Sequence, residues 1–458
     1  MQGIEMTVGN TGYIPHTDPE IQSMLGFLGL SSLEDLFAVV PEALRLAAGL
    51  DLPSASPEPD VFARMQDLAM GNRPIGRDLV CFAGAGAYDH ELPPVTRALA
   101  SRSEFVTSYT PYQPEVAQGV LQAVFEFQTF VSRLTGLPVA NASLYDGAAA
   151  VVEAVNLGVA SAGNNEVWVS GGLHPNSRAV LRTFAAGTGH RLVNVPLRDG
   201  VTDWTSPGDS RPGVVVVSYP NYLGCLEDLA QARELCDRTG ALLVVTFDPV
   251  CAGILRSPGD WGADVVVGEG QPFGMPLSFG GPYLGIFACA TKHVRRLPGR
   301  LVGETVDADN RTAYVTTLRA REQDIRREKA TSNVCTNQTL MAVTAAIQLG
   351  WLGASGLAEI AIRSARGTHY CRKSLLALEG ITPLAGAPVV REFAISIPVQ
   401  GEVLVERLLE DGFLAGVPLE PEYTMPSGAT GGLLVAITER RTKSEIDAFV
   451  AAFDKAVR

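Results

Sequence analysis

Runs of valine, leucine and isoleucine recur along the middle of the chain and constrain its fold more than any other feature. They lie at 166–170, 191–195, 213–219, 241–247, 263–268 and 283–289. Each run is mostly apolar without alternation, which is typical of strands covered on both faces. Amphipathic segments such as 227–240, which ends in a glycine, separate the runs and predict crossover helices. The pattern predicts an α/β fold built on a large, mostly parallel sheet.

The segments on either side of these runs predict two further domains. Helix-like apolar spacing that starts at Thr17 predicts a helical N-terminal arm over 1–60, in which the proline-rich stretch 51–60 is a loop. The large α/β domain is predicted over 61–330, and a small α+β domain over 331–458. In the small domain, helices are expected at 338–380, 402–412 and 443–458 and strands at 391–399 and 432–438.

Charge and cysteine content limit the partners and the compartment. A formal net charge of −13 would repel nucleic acid and anionic membranes, so we expect a small molecule or another protein as the ligand. The seven cysteines are scattered and lack metal-chelating spacing, which predicts no metal site and buried free thiols in a reducing compartment. No leader-like start and no run near the roughly 18 apolar residues of a membrane span were recognised, so the expected location is the cytoplasm.

Polar residues follow several of the predicted strands, at the edge where ligands gather in open parallel sheets. Asp248 at the end of one strand can pair with a protonated pyridine nitrogen, although Asp-Pro is also common turn and cap chemistry. Asn221 and His174 follow two other strands; an imidazole there can stack on a flat ring or serve as a hydrogen-bonded loop residue. Asp146 precedes a predicted helix, whose N-terminus either binds a phosphate or is capped by that aspartate.

The stretch DVVVGEGQPFGMPLSFGGPYLG, residues 264–285, joins a strand to a glycine-rich turn. In a large α/β enzyme that holds an aldehyde cofactor, a lysine is expected here, and this stretch has none. The five lysines of the chain all lie beyond it, at 292, 329, 373, 443 and 455. The glycines at 268, 270 and 274 also lack the spacing of a dinucleotide-binding fingerprint.

Two segments, 103–119 and 318–338, are more polar than folding requires. The first concentrates Tyr109, Tyr112, Gln113 and Glu115 around two prolines. The second begins with arginines that a solvated helix would explain. It ends in the uncharged run ATSNVCTNQ, which is typical of a hydrogen-bonding loop.

Long motifs in these same regions resemble one protein family. They are YIPHTDPEIQSML, FAGAGAYDHELPPV, SYTPYQPEVAQGVLQAVFEFQT, SLYDGAAA, GEGQPFGMPLSFGGPYLG and RREKATSNVCTNQTL. From about residue 12 to its end the chain resembles subunit 1 of the two-subunit P-proteins of the glycine cleavage system. The resemblance implies a fold-type I pyridoxal-phosphate architecture. It also implies that the chain is one subunit of an oxidoreductase, glycine dehydrogenase (aminomethyl-transferring). This enzyme decarboxylates glycine and transfers the aminomethyl group to the lipoyl arm of H-protein.

The resemblance further implies that subunit 2 carries the cofactor lysine. When this chain is aligned with the lysine motif of that subunit, Gln271 or Pro272 stands at the lysine position. Neither side chain forms a Schiff base. Asp248, His174 and Asn221 would then form, with Gln271, a vestigial cofactor pocket. Pyridoxal phosphate is accordingly expected on subunit 2 and not covalently on this chain.

Fold-type I enzymes generally work as dimers with interfacial sites, so the resemblance implies that this chain completes the site of its partner, expected in a heterotetramer. Thr331, Ser332 and Asn333 are expected to donate to the phosphate of the partner's cofactor. Tyr109, Tyr112, Gln113, Glu115 and His90 are expected on the glycine side. One alternative is a scaffold for subunit 2 or a docking surface for H-protein; another is an independent decarboxylase that uses a different lysine.

Overall fold

The structure is a computed structural model that describes residues 15–45, 51–205, 210–424 and 428–458. It divides into two compact units, Met1–Asn72 and Arg73–Arg458. The domain boundary predicted between residues 330 and 331 falls inside the second unit and stays a prediction.

The first unit is helical where it is described, as the sequence predicts. It contains α1 (Asp18–Leu28), 3-10 helices at Leu33–Phe37 and Glu42–Leu44, and α2 (Glu58–Met70). Thr17 is the N-cap of α1, and its backbone N–H donates to the Glu20 carboxylate at 2.7 Å. The predicted loop over 51–60 is too long, because α2 begins at Glu58 with a proline in its first turn, where proline fits a helix. Residues 1–14 and 46–50 of the predicted arm lie outside the described residues.

The second unit alternates strands and helices. Its strands are β1 (Val80–Cys81), β2 (Val139–Ala140), β3 (Glu166–Ser170), β4 (Arg191–Val195), β5 (Leu197–Arg198), β6 (Val201–Thr202), β7 (Val214–Tyr219), β8 (Leu242–Phe247), β9 (Val265–Glu269), β10 (Gly285–Cys289), β11 (Val302–Val306), β12 (Thr312–Thr316), β13 (Thr382–Pro383), β14 (Glu392–Ile397), β15 (Phe413–Leu414), β16 (Val417–Pro418) and β17 (Gly431–Ala436). Its helices are α3 (Pro94–Ala100), α4 (Ser103–Val106), α5 (Gln118–Thr135), α6 (Gly147–Ala162), α7 (Pro175–Thr188), α8 (Leu229–Thr239), α9 (Gln323–Arg326), α10 (Thr339–Leu375), α11 (Gly401–Glu410), α12 (Pro421–Thr424) and α13 (Lys443–Val457).

A seven-stranded sheet has the order β2-β10-β9-β8-β7-β3-β4. Strands β9, β8, β7, β3 and β4 are parallel, and β10 pairs antiparallel with both of its neighbours. The apolar runs predicted as strands are confirmed as β3, β4, β7, β8, β9 and β10. Gly240, with φ of 76°, ends α8 in the left-handed conformation that glycine adopts without a Cβ penalty.

Both faces of this sheet are buried, which explains the lack of alternation in the sequence. In β7, Val215 and Val217 face one apolar core with Leu243 and Val245, whereas Val214 and Val216 face another with the helix α6. All four valines of β7 have no exposed surface. A strand covered on both sides has no position at which a polar side chain is solvated.

A four-stranded antiparallel sheet has the order β13-β14-β17-β16. Its core stacks Phe82 on Phe449 of α13, with ring centroids 4.0 Å apart. The small α+β architecture predicted from the sequence is present in these elements, and all of its predicted helices and strands are found.

The long helix α10 corrects the sequence analysis, which recognised no segment like a membrane span. By length and composition α10 is apolar enough to cross a membrane, although 44% of its most apolar window is buried inside the fold. Its backbone leaves the helical conformation at Gly353, where φ is 61°. The core helix of a soluble protein passes the same test of length and composition.

All seven cysteines are free, as expected, and six of them are buried. Cys335 is exposed, so the prediction of burial is wrong for this residue. It lies in the polar loop that precedes α10.

Candidate functional site

The carboxyl ends of β7, β8 and β9 bring three predicted pocket residues to one edge of the large sheet. Asn221, Asp248 and Gln271 follow these strands in turn. The cavity beside them has a volume of about 40 Å³ and is lined by Tyr88, Pro220, Asn221, Gly224, Asp248, Arg391 and Glu392. That volume holds a few water molecules but not an aromatic ring with its substituents.

Asp248 is already paired inside this chain. Its Oδ1 accepts the N–H of Val250 at 3.1 Å and caps the 3-10 helix Pro249–Gly253, as the turn interpretation of Asp-Pro predicts. Its Oδ2 accepts from Nε of Arg391 in an ion pair. The Arg391 side chain is only 4% exposed, and its guanidinium lies 3.6 Å from the centre of the Tyr88 ring. A guanidinium therefore occupies the place facing Asp248 where a pyridinium was one expectation.

The contacts of Arg391 continue to Glu439. Its Nη1 lies 2.8 Å from Nε2 of His90, and Nδ1 of His90 lies 2.8 Å from Oε2 of Glu439. Because a guanidinium only donates, Nε2 accepts, and Nδ1 carries the proton that is donated to Glu439. Burial opposes ionisation of Glu439, but the hydrogen bonds that its carboxylate accepts from His90 and from the N–H of Glu91 outweigh it and lower the pKa of that carboxyl. We call Asp248, Arg391, Tyr88, His90 and Glu439 the Arg391 network.

Glu392, the neighbour of Arg391, is a second buried acid at the pocket. One of its oxygens accepts the N–H of Ala85 at 2.7 Å, and the other accepts the hydroxyl of Tyr88 at 3.0 Å. Burial raises the pKa of the Glu392 carboxyl to about 7, because too few charges compensate the loss of water. The pocket thus holds one carboxylate paired with a cation and another carboxyl group that is about half-protonated at pH 7.

Gln271, at the position expected for a lysine, makes hydrogen bonds with the whole of its amide. Nε2 donates to the carbonyls of Tyr88 at 3.0 Å and Met275 at 2.8 Å, and Oε1 accepts the N–H of Tyr88 at 3.0 Å. The residue is 1% exposed. It joins the glycine-rich turn to the segment around Tyr88 and has no free polar atom for a ligand.

The N-terminus of α6, a candidate phosphate site, holds carboxylates of this chain. Oδ1 of Asp146 accepts the N–H of Ala149 at 2.7 Å, which confirms the capping interpretation. Oε2 of Glu269 accepts the N–H of Gly147 at 2.9 Å. Burial raises the pKa of the Glu269 carboxyl to about 7, although three backbone N–H groups donate to it. A phosphate would have to displace one acid and approach another, which is electrostatically unfavourable.

His174 and Asn221 have structural contacts. Nδ1 of His174 accepts the N–H of Asn176 at 3.1 Å and caps α7, and Nε2 lies 2.8 Å from the carbonyl of Ala85. Burial lowers the pKa of His174 and keeps the ring neutral. The amide of Asn221 bonds within its own turn, to the N–H groups of Leu223 and Cys225, and to Glu227. Both residues fit the loop interpretation.

These side chains do not fit pyridoxal phosphate. Gln271 offers no nucleophile, Arg391 covers the acid that would face the ring nitrogen, and Glu269 occupies the helix terminus that would face the phosphate. The pocket is filled by the chain itself.

The polar segment around Tyr109 and Tyr112 has a different character, because it is exposed. Tyr109 is 87% and Tyr112 54% exposed, and Gln113 and Glu115 are exposed as well. His90, expected near them, is 6% exposed and belongs to the Arg391 network. The structure does not place His90 on this surface, because both of its ring nitrogens bind groups inside the fold.

Arg300 joins the two polar segments and was missed in the sequence. It is buried, and its guanidinium donates to the Tyr112 hydroxyl at 3.0 Å and to the Asn337 amide oxygen at 3.3 Å. The same guanidinium lies 4.8 Å from the centre of the Tyr112 ring. Asn337 in turn donates to the carbonyl of Ala142 at 2.9 Å. The two segments are therefore fixed to each other.

Thr331 and Ser332 are half-buried, and Asn333 is exposed. The first two line a small cavity of about 10 Å³ together with the arginines Arg295, Arg296 and Arg321. Nε and Nη2 of Arg321 are buried and have no hydrogen-bond partner in the part of the chain that the structure describes. Hydroxyl groups beside unpaired guanidinium N–H groups are chemistry suited to an oxyanion.

Four residues with central contacts were not singled out from the sequence: Glu269, Arg300, Arg391 and Glu392. Three of them had a recognisable signal. Arg391 and Glu392 begin the apolar strand REFAISIPV, and Glu269 ends the buried strand that contains VVVG. A charged residue at the end of a buried strand needs a partner, and that requirement is a reason to inspect it.

Comparisons with known proteins agree over nearly the whole chain. The profile of the family described as "Glycine cleavage system P-protein" matches residues 11–453. A probable glycine dehydrogenase (decarboxylating) subunit 1 from Moorella thermoacetica is 46% identical over 444 residues, covering 96% of this chain and 98% of that protein. The corresponding protein of Prosthecochloris aestuarii is 45% identical over 442 residues, with the same coverage.

Solved structures support the same grouping. The crystal structure of glycine decarboxylase (P-protein) of the glycine cleavage system, in inhibitor-bound form, superposes with a TM-score of 0.89 at 44% identity, over 97% of this chain and 99% of that one. The cysteine desulfurase CsdA from Escherichia coli has a TM-score of 0.58 at 18% identity, over 88% of this chain and 99% of that one, and is similar in fold alone. These neighbours are fold-type I pyridoxal-phosphate enzymes, so the predicted fold class is confirmed. From the family profile and from relatives that match almost end to end, the chain belongs to the P-protein family of the glycine cleavage system.

Proposed function

We propose that this chain is the subunit of a glycine decarboxylase that does not carry the cofactor and that completes the active site of subunit 2. The single observation that carries the proposal is the self-filled pocket, in which Gln271, Arg391 and Glu269 occupy the places that a cofactor would need. A chain of this fold whose own pocket is closed can still contribute surface residues to the active site of a partner subunit. The relatives are described as subunit 1, which implies a second subunit.

The proposed complex decarboxylates glycine and transfers the aminomethyl group to the lipoyl arm of H-protein, as glycine dehydrogenase (aminomethyl-transferring). Pyridoxal phosphate, held by subunit 2, supplies the electron sink for loss of the carboxylate. This chain contributes binding and orientation, which govern how well the reacting groups are aligned. The proposed location is the cytoplasm.

Two polar segments are proposed to reach the partner. Thr331, Ser332 and Asn333 donate hydrogen bonds to the phosphate of the partner's cofactor, and the buried Nε and Nη2 of Arg321 beside them, which have no partner among the described residues, support this role. On the glycine side, Tyr109 and Tyr112 provide aromatic surface, together with Gln113 and Glu115. His90 is left out of this set because its contacts lie inside the chain.

The experiment replaces Thr331 and Ser332 by alanine in the complex of both subunits. Because hydrogen bonds to a charged group are worth about 1.5–3 kcal/mol each, we expect the dissociation constant of pyridoxal phosphate to rise about tenfold or more. Thr183→Ala with Thr188→Ala is the matched control, since these exposed hydroxyls lie on α7 and bond only to their own helix.

An unchanged cofactor affinity would refute this role for the loop. Weaker assembly of the complex, or a higher Michaelis constant for H-protein, at unchanged affinity would instead identify the chain as a scaffold or a docking subunit.

A further inference from the structure

Arg391 is a buried cation that no part of the proposed reaction uses. It immediately precedes β14 of the four-stranded sheet, and its ion-pair partner Asp248 immediately follows β8 of the seven-stranded sheet. The other end of its network, Glu439, follows β17 of the four-stranded sheet. The side chains of Arg391, His90 and Glu439 are 4%, 3% and 9% exposed. This polar chain therefore crosses between the two sheets in the interior.

Burying a guanidinium is costly unless every side of it is compensated. Here Nε, Nη1 and one face of the flat cation have partners of suitable chemistry. The carboxylate of Asp248 accepts from its edge, the Tyr88 ring covers its face at 3.6 Å, and Nε2 of His90 accepts from Nη1 at 2.8 Å. An aromatic face and an acceptor in the plane form a binding site for a planar cation.

We propose that Arg391 is an internal ligand: its guanidinium occupies a planar-cation site formed by Asp248, Tyr88 and His90, and in doing so fastens the four-stranded sheet to the seven-stranded sheet. The chain binds its own side chain where a separate molecule would otherwise have room. This inference concerns the isolated chain and does not depend on the proposed function of the complex.

Two features of the surroundings agree with a fixed internal ligand. Glu392 bonds to Ala85 and Tyr88 and so holds the segment that carries the aromatic face. Gly224 has a φ of 81°, and a Cβ there would lie 1.9 Å from the backbone oxygen of Glu392. The strand that begins with Glu392 is thus packed directly against the turn after β7, which fixes the backbone next to Arg391.

Arg391→Ala in the purified chain tests the proposal, with methylguanidinium chloride as the probe. We expect the variant to melt about 3–5 °C below the wild type, since an uncompensated Asp248 is left buried. Methylguanidinium in the low millimolar range should restore part of this loss by binding where the side chain was. Methylammonium chloride at the same concentration, which is not planar, should not.

Arg363→Ala is the matched control, because Arg363 is 63% exposed and pairs only with Glu359 on its own helix. It should melt near the wild type and show no response to methylguanidinium. An Arg391→Ala chain that is not stabilised by methylguanidinium, or a control that is stabilised equally, would overturn the proposal.

If Arg391→Ala does not fold, the conservative pair Asp248→Asn and Arg391→Gln gives the answer. Each single variant leaves one charged member of the ion pair without its partner. The double variant removes both charges, so no unpaired charge remains. We expect the loss in melting temperature of the double variant to be clearly smaller than the sum of the single losses. Additive losses would show that the two side chains are not coupled and would overturn the proposal.

Discussion

At the scale of single residues, the pocket at the carboxyl ends of β7, β8 and β9 is filled with contacts internal to the chain. Gln271 uses both polar atoms of its amide on Tyr88 and Met275, and Asp248 combines a helix cap with an ion pair. Substitution of Gln271 by lysine alone would therefore bury a charge and not recreate a cofactor site. The residues that fill the pocket argue against a cofactor in this chain as strongly as the missing lysine does.

The buried acid Glu392 leads to a prediction about pH. Its pKa is raised in the folded chain from an ordinary value of 4.5 to about 7. Between these values the folded state binds more protons than the unfolded state, so the stability that Glu392 contributes is present below pH 4.5 and is lost as the pH rises through 7. The glutamine of Glu392→Gln is neutral at every pH, so this variant should not show the loss. The loss in the free energy of unfolding that Glu392 causes is at most about 3 kcal/mol at pH 8.

Thermal or denaturant unfolding of both proteins from pH 4.5 to pH 8 measures the difference. Glu104→Gln is the control, because a hydrogen bond from Arg102 lowers the pKa of the exposed Glu104 to about 2, below this range. An equal decline of wild type and Glu392→Gln over this interval would show that Glu392 does not titrate in it.

At the scale of elements, the strands could be predicted from the sequence. The side chains that contact the residues at the strand ends could not. The run at 166–170 coincides with β3, because burial on both faces leaves a local signal in every residue. The run at 191–195 coincides with β4, which is an edge strand and only partly buried. The contact between Asp248 and Arg391 joins residues 143 apart in sequence, and no local pattern encodes it. The candidate residues at the strand ends were placed at the correct edge of the sheet, but their partners are set by the tertiary fold.

Helix α10 shows how closely the elements approach one another around this sheet. Gly253 ends the 3-10 helix that Asp248 caps, and a Cβ at this position would lie 2.6 Å from the carbonyl oxygen of Leu357 and 2.9 Å from Cβ of Ala361. Only a residue without a side chain allows the backbone of α10 to pack at this distance.

Gly253→Ala should therefore destabilise the chain by about 1–3 kcal/mol through overpacking against α10. Gly187→Ala is the matched substitution, since Gly187 lies within α7 and its Cβ would meet nothing within 4 Å. That change should stabilise the chain by about 0.5–1 kcal/mol, because alanine favours a helix over glycine. Melting temperatures of the two variants give the comparison, and an equal response of both would contradict the packing argument.

At the scale of the whole molecule, a closed interior pocket is combined with exposed polar segments. Arg300 donates hydrogen bonds to Tyr112 and to Asn337 and so joins the two polar segments from within the fold. Segments that are already ordered by internal hydrogen bonds are suited to binding a partner protein, because they lose little conformational entropy when the complex forms. This arrangement is what a subunit that completes a neighbouring site requires.

The most direct test is to locate the cofactor chemically in the assembled complex. The chain is mixed with subunit 2 and pyridoxal phosphate, reduced with borohydride, and each polypeptide is weighed by mass spectrometry after denaturation. The account predicts a pyridoxyl adduct on subunit 2 and an unmodified mass for this chain, which has Gln271 and no lysine in its pocket. A specific adduct on one of the five lysines of this chain would contradict it.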